Sequence, residues 1–258
     1  MQLGLIARAQ GVRLLRLDEV DSTNDEARRL IETGERGPLW IVAARQTKGR
    51  GRLGREWISP AGNLYASFVF ADFPQTRLAP QLGFVTGVAA MRALRASAGQ
   101  GNFKLKWPND MLFDGAKLGG ILLEGVNGGA TPVAIIGIGM NIAHAPADLP
   151  YPARALSESG AGAPTAESVF SHLTDALCEA LDLWRAGEGF AAIRDEWLRN
   201  AQGIGETIRV ALSGETVDGV FDTIDACGRL VLETSGGPRV IDAGDVLVGP
   251  RATTGARA

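Results

Sequence analysis

The chain has 258 residues, of which 45% are apolar and 21% charged, with a formal net charge of −3. Such a composition is that of a water-soluble globular protein of one or two domains with a substantial core. It excludes a basic nucleic-acid binder, and no stretch approaches the roughly 18 apolar residues of a membrane span.

The first residues carry Arg8 and Arg13 but no apolar run before a cleavage site, so a secretory signal is not expected. Residues 12–20 read as a strand. Asp21-Ser22-Thr23-Asn24 supplies a helix cap, and Thr23 with Glu26 has capping-box spacing. The helix runs to Thr33 and stops at Gly34. Residues 39–44 form a short apolar run, read as a buried strand, that leads to Gln46 and then to Lys48-Gly49-Arg50-Gly51-Arg52-Leu53-Gly54-Arg55. Four cations separated by glycines cannot form a core. Glycine lets backbone N–H groups turn toward one point, and arginine forks match carboxylate and phosphate. A solvated Gly/Arg loop is the plain alternative. On a mildly acidic protein, the segment fits closure over a small phosphorylated ligand better than nucleic acid.

Residues 63–70 alternate as a strand, and 80–98 carry Leu82, Val85, Ala89 and Leu94 at helical spacing. Residues 103–107 read as a strand ended by Pro108. The resulting turn presents Asn109 and Asp110, hard oxygen ligands suited to Mg²⁺ with phosphates, or an ordinary Asn-Asp turn. Residues 118–126 and 133–138 are apolar strands, with a hairpin turn expected at 127–129. Lys117 opens the first of them, followed by Gly119-Gly120, where glycine in a strand marks close approach of a ligand or backbone. Lys117 is either a solvated strand-end lysine or a cation placed for charge developing on a phosphoryl oxygen. Gly137-Ile138-Gly139-Met140-Asn141 is half a dinucleotide fingerprint without the third glycine or the helix, so its glycines fit a flat ring lying on the backbone.

Residues 143–164 read as a long loop, and 165–185 and 190–200 as helices. From 207 to 248 only short β-like runs remain, broken by glycines, which suggests a small β-barrel. Residues 251–258 read as a disordered tail. Cys178 and Cys227 point to a reducing compartment, hence a cytoplasmic protein. His144 and His172 lack metal-ligand spacing, and no Gly-x-Ser-x-Gly elbow is present.

Taken together, Ser22-Thr23-Asn24, Gln46, the Gly/Arg loop, Lys106-Trp107-Pro108-Asn109-Asp110, Lys117–Leu122 and Gly137–Asn141 resemble biotin protein ligase in order and spacing. Residues 49–55 match that family's Gly-Arg-Gly-Arg-x-Gly-Arg loop throughout, and the resemblance spans about residues 12–250. It implies an α+β fold, with a mixed central sheet flanked by helices over residues 1–203 and a small SH3-like β-barrel over 204–250. It also implies the activity: ATP and Mg²⁺ convert biotin to biotinyl-5′-AMP with release of pyrophosphate, and biotin then passes to a lysine of a carboxylase carrier domain.

Carried onto this chain, Ser22, Thr23, Asn24, Gln46, Arg50, Gly119 and Gly120 would hold biotin. Arg55, Trp57, Lys106, Asn109, Asp110, Gly139 and Asn141 would hold ATP or the adenylate, with Asn109 and Asp110 beside Mg²⁺. Arg52 and Lys117 would serve both ligands and the chemistry. Asp110 is also considered as a proton acceptor for the attacking lysine. No room precedes the first strand for a helix-turn-helix, so no nucleic-acid partner is expected. An exposed edge of the central sheet is compatible with a homodimer. A lipoate or octanoyl transferase and a non-catalytic metabolite sensor are the rivals. The first would need its own His-containing motif, and the second has no use for both Lys117 and the loop.

Overall fold

Alternation of apolar residues decides the centre of the molecule. The computed structural model describes residues 1–71, 78–99, 101–127, 132–160, 162 and 164–247. Seven strands form one mixed sheet: β1 (Arg13–Val20), β2 (Leu39–Gln46), β3 (Leu64–Phe70), β4 (Phe103–Lys106), β5 (Asp110–Phe113), β6 (Ala116–Asn127) and β7 (Pro132–Met140), in the order β1-β2-β3-β7-β6-β5-β4. β1 and β2 pair parallel and every other neighbour pairs antiparallel. Trp40 and Val42 of β2 face the larger core, whereas Leu39 and Ile41 face a second, smaller one. A period of two in a strand buried on both sides puts neighbouring apolar residues in different layers.

The smaller core is closed by α2 (Thr23–Glu32) through Ala27 and Ile31. The larger one is covered by α3 (Gln81–Ala98), α4 (Ala166–Trp184) and α5 (Phe190–Arg199), with a short α1 (Leu5–Ala9) beside α4. The spacing of Leu82, Val85, Ala89 and Leu94 predicts one apolar face for α3, yet Gly83, Thr86, Ala90 and Met91 are buried as well. The helix lies between the sheet and α4, so it has no solvent face over most of its length.

Three local readings are corrected. The cap of α2 is Ser22, whose side chain accepts from the Asp25 N–H at 3.5 Å; Thr23 turns its hydroxyl to Gln46 and Ser67 instead, so the Thr23–Glu26 capping box does not form. Asp110 begins a strand, β5, rather than ending a turn. Residues 5–9 are helical, and residues 156–159 of the expected loop form a 3-10 turn. The hairpin turn expected at 127–129 falls largely in residues 128–131, and the tail in 248–258, both outside the described residues.

The C-terminal segment forms a five-stranded antiparallel sheet of β8 (Thr207–Ala211), β9 (Thr216–Ile224), β10 (Leu230–Thr234), β11 (Gly237–Ile241) and β12 (Asp245–Leu247), in the order β11-β10-β9-β8-β12. It docks where the fully buried Trp107 indole donates to the Gly228 carbonyl at 3.2 Å. Backbone bonds from Leu105 to Asn200 and from Gln202 to Leu105 cover the outer edge of β4. The open edge of the main sheet is therefore β1, which carries Arg13, Arg16, Asp18 and Glu19, and charge on an edge strand discourages pairing with another sheet.

Candidate active site

A cleft of about 360 Å³ opens on the face of the main sheet that carries α2. Its floor is low because two residues of β7 have no side chain. A Cβ on Gly137 would lie 2.4 Å from the Asn24 Oδ1, and one on Gly139 would lie 2.7 Å from the Trp57 indole. Those distances are impossible for real atoms, so glycine there is what lets Asn24 and Trp57 settle against the sheet.

One end of the cleft is a buried, uncharged wall. Ser22, Thr23 and Asn24, at the N-terminus of α2, are only 3–4% exposed. The Gln46 Oε1 accepts the Thr23 N–H at 2.8 Å and lies 3.1 Å from the Thr23 hydroxyl. The Gln46 Nε2 donates to the Ser59 hydroxyl at 3.1 Å, and Ser59 donates to the Trp57 carbonyl at 2.8 Å. Ser67, on β3, lies 2.6 Å from the Asn24 Oδ1 and 2.8 Å from the Thr23 Oγ1.

The other end is cationic. Residues 48–57 fold back on themselves, with the Trp57 N–H bonding the Gly49 carbonyl at 2.9 Å and the Gly51 N–H bonding the Arg55 carbonyl at 2.7 Å. Leu53 sits at the tip with φ +56° and is 80% exposed. Arg50 pairs with Asp25 and Glu124 at the base of the loop. Arg52 reaches the Asn109 Oδ1 at 3.3 Å and the Asp245 carboxylate at 3.4 Å, and Arg55 pairs with Asp245 too. The C-terminal sheet thus contributes to the cleft through β12, and Lys106 donates to its Val246 carbonyl at 3.3 Å.

Between the two ends stands Lys117. Its ammonium lies 2.7 Å from one oxygen of Asp110, while Lys106 holds the other oxygen at 2.8 Å. The Trp57 and Tyr151 rings flank Lys117 with centroids 5.7 and 5.4 Å from its Nζ. Burial alone would push the Asp110 carboxyl up, but the pull of Lys117 and Lys106 prevails and holds it below the usual carboxylate range. A carboxylate so stabilised is a poor proton acceptor, which removes Asp110 as the base for an attacking amine. Its engagement also speaks against the Mg²⁺ reading. Both Asp110 oxygens are on ammonium groups, the Asn109 Oδ1 faces Arg52, and among the described residues no three His, Cys, Asp or Glu side chains could jointly hold an ion. These residues do not fit a protein-held metal.

Of the residues singled out from the sequence, Ser22, Thr23, Asn24, Gln46, Arg50 and Gly120 line the cleft, as do Arg52, Arg55, Trp57, Lys106, Asn109, Asp110, Lys117 and Gly139. Two do not. A Cβ on Gly119 would meet Met111 and the Gly139 carbonyl, so this position faces the core. Asn141 is buried in an adjoining hollow that shares Trp57, Lys117 and Tyr151 with the cleft. The Trp57 Nε1 is buried and has no hydrogen-bond partner. Sequence reasoning missed Tyr151, Asp245 and Glu124. Tyr151 and Asp245 lie in a loop and a short edge strand with no chemical signature, and Glu124 sits inside a strand read only for its apolar residues.

A model of the biotin/lipoate A/B protein ligase family matches residues 17–141, and a model of the biotin protein ligase C-terminal domain matches residues 203–249. Over 90% of its length the chain is 37% identical to a biotin–[acetyl-CoA-carboxylase] ligase of Paracoccus denitrificans, and the match covers 99% of that protein. The chain belongs to the biotin protein ligases. A ligase of the same description from Mycobacterium tuberculosis is 33% identical, with 94% of this chain and 92% of that protein covered. A biotin protein ligase from Aquifex aeolicus, solved in complex with biotin and ATP, superposes with a TM-score of 0.79 at 30% identity, over 91% of this chain and 97% of that one. The chain is therefore a ligase by family, and no described helix is long and apolar enough to cross a membrane.

Proposed function

We propose that residues 1–203 form the catalytic unit and 204–250 a smaller one, and that the cleft between them joins biotin to AMP and then to a protein lysine in the cytoplasm. Ser22, Thr23, Asn24, Gln46 and Gly120 hold the vitamin, and its carboxylate points to Lys117. Arg52, Arg55 and Lys106 hold the phosphates, with Trp57, Gly139 and Asn141 at the base and sugar. Arg50 stabilises the loop from its foot rather than touching either ligand. No protein ligand for magnesium is proposed.

In the first step a carboxylate oxygen of biotin attacks the α-phosphorus. The bond from that phosphorus to the β-phosphate bridging oxygen breaks, and pyrophosphate leaves with the electron pair. Two anions at 4 Å repel by about 4 kcal/mol at an effective dielectric of 20, so a cation between them is the central requirement. Lys117 meets it, with Asp110 and the two aromatic rings fixing where its ammonium stands. In the second step a lysine amine of a biotin carboxyl carrier domain attacks the acyl carbon, AMP leaves, and the amine loses a proton. Among the described residues near Lys117 no side chain is suited to take that proton, which leaves on the AMP phosphate, so positioning and exclusion of water carry this step.

The observation that carries the reading is the placement of Lys117 between an uncharged buried wall and a cluster of arginines in a single cleft. The test supplies labelled biotin, ATP, Mg²⁺ and an isolated carboxyl carrier domain. Biotin should become covalently attached to the acceptor with release of pyrophosphate. Use of lipoate in its place would overturn the proposal.

A further inference from the structure

The cationic segment is a short hairpin with two unlike halves. The Trp57 N–H donates to the Gly49 carbonyl at its foot, and the Gly51 N–H donates to the Arg55 carbonyl nearer its tip. The foot is bolted down. The Thr47 and Lys48 N–H groups donate to the Val20 and Asp21 carbonyls at 2.9 and 2.8 Å. A Cβ on Gly49 would lie 2.4 Å from the Trp57 carbonyl oxygen and 2.5 Å from the Ser59 Oγ, so the backbone is closely packed there. The tip has no such packing. Leu53 is 80% exposed, a Cβ on Gly54 would meet nothing within 4 Å, and the side chains of Arg52 and Arg55 tie the tip to Asp245.

Arg50 stands at the boundary. Its Nη1 donates to the carboxylate of Asp25, on α2, and its Nη2 lies 3.2 Å from both oxygens of Glu124, on β6. A guanidinium is flat and rigid, so two carboxylates from different elements fix its plane as well as its position. Glu124 is itself held, by the Asn24 Nδ2 at 2.6 Å and the Arg28 Nη2 at 3.4 Å. Two carboxylates face two guanidiniums at the foot, and their charges balance. At the tip two arginines share the single carboxylate of Asp245. An anion entering the cleft therefore draws on the tip and leaves the foot paired.

We propose that Glu124, which does not line the cleft, makes Arg50 a hinge post, so that only residues 51–56 swing and Glu124 is a positioning residue for retention of the adenylate. The retention half rests on the reading of the cleft as a site for biotin and ATP. Trp57 falls on the fixed side of this hinge. Its ring stays against Gly139 and beside Lys117 whether the tip is open or closed. Without the post, Trp57 leaves with the tip and a wall of the site goes with it.

Hydrogen exchange of single amides in the ligand-free protein reads the hinge, because each rate reports the opening that frees that N–H. We expect the Gly51 amide to exchange at least about 30-fold faster than the Trp57 amide, each relative to its unstructured rate. Glu124→Gln should speed the Trp57 amide at least about tenfold and leave Gly51 within about twofold. Labelled biotinyl-AMP should dissociate from E124Q about fivefold faster than from the parent.

In an Arg50→Gln background, E124Q should change neither the Trp57 exchange nor the dissociation by more than about twofold, because the post is already gone. A merely structural role, holding α2 through Asn24 and Arg28, would add its full effect there and overturns the proposal. Equal exchange at Gly51 and Trp57 in the parent, or an unchanged Trp57 rate in E124Q, overturns it too. If E124Q is insoluble, Asp25→Asn removes the other arm of the post and decides by the same two amides. Absence of any biotinyl-AMP formation by the parent would instead sink the biotin reading, and the two amides would still test the hinge.

Discussion

The two ends of the cleft are held by different physics. At the uncharged end, Thr23, Asn24, Gln46 and Ser67 are linked by short hydrogen bonds, those of Ser67 buried, fixed to α2 and the sheet. At the cationic end, Arg52 and Arg55 are held by ion pairs to Asp245, and the Arg55 side chain is 60% exposed. Buried hydrogen bonds are costly to leave unmade, whereas half-exposed ion pairs are worth at most about 1 kcal/mol and yield readily to a better anion. One end is preorganised, and the other is latched by an internal carboxylate that another anion can replace.

Lys117 belongs to both ends, so its loss should be the largest effect. Lys117→Ala should reduce biotin-dependent pyrophosphate exchange by at least about 100-fold, the scale for removing a group that meets developing charge. Near-normal exchange would remove Lys117 from the mechanism. Arg52→Gly should come next, and should affect retention more than synthesis. Dissociation of labelled biotinyl-AMP should accelerate about tenfold, while the exchange rate at saturating substrates falls less. An unchanged dissociation rate would show that Arg52 is not part of the closure.

Asp245→Asn sharpens the contrast in the opposite direction. It removes the competitor for both arginines, so the KM for ATP should fall about threefold at low salt and the KM for biotin should stay constant. A raised KM for ATP would mean that Asp245 orders the loop instead of competing with phosphate.

The smallest expected effect lies far from the reacting groups. A hydrogen bond from Arg29 draws the Asp21 carboxyl down to about 2. Arg13 does the same for Glu35, also to about 2. Both groups bind protons in the unfolded chain near their ordinary values of about 4, so the stability they confer is complete above about pH 5 and is lost as the pH falls toward 2. Melting temperature should therefore drop between pH 5 and pH 3, and Arg29→Ala should flatten that drop. An equal slope in the variant would assign the acid sensitivity elsewhere.

Much of the site was legible because its chemistry is local in sequence. The Gly/Arg loop, Lys117 after its turn and Ser22-Thr23-Asn24 at a helix start each declare themselves through residue type and spacing, and the cleft brings them together. Where the reading failed, a partner distant in sequence intervened. The Thr23–Glu26 box loses to Gln46 and Ser67, and the proposed metal pair Asn109-Asp110 is taken up by Arg52, Lys106 and Lys117. Arg50, read as a ligand cation, lines the cleft and is also tied to Asp25 and Glu124.

The linear order of residues was enough to place most of the strands and helices, to mark the cationic loop and to name the family, because periodicity and turn chemistry act over a few residues. Which charges remain free for a ligand was settled only when β6, β12 and α2 came together. Coulombic and hydrogen-bond partners are chosen by distance in space, and the bond from Asn24 to Glu124 spans 100 positions of the chain.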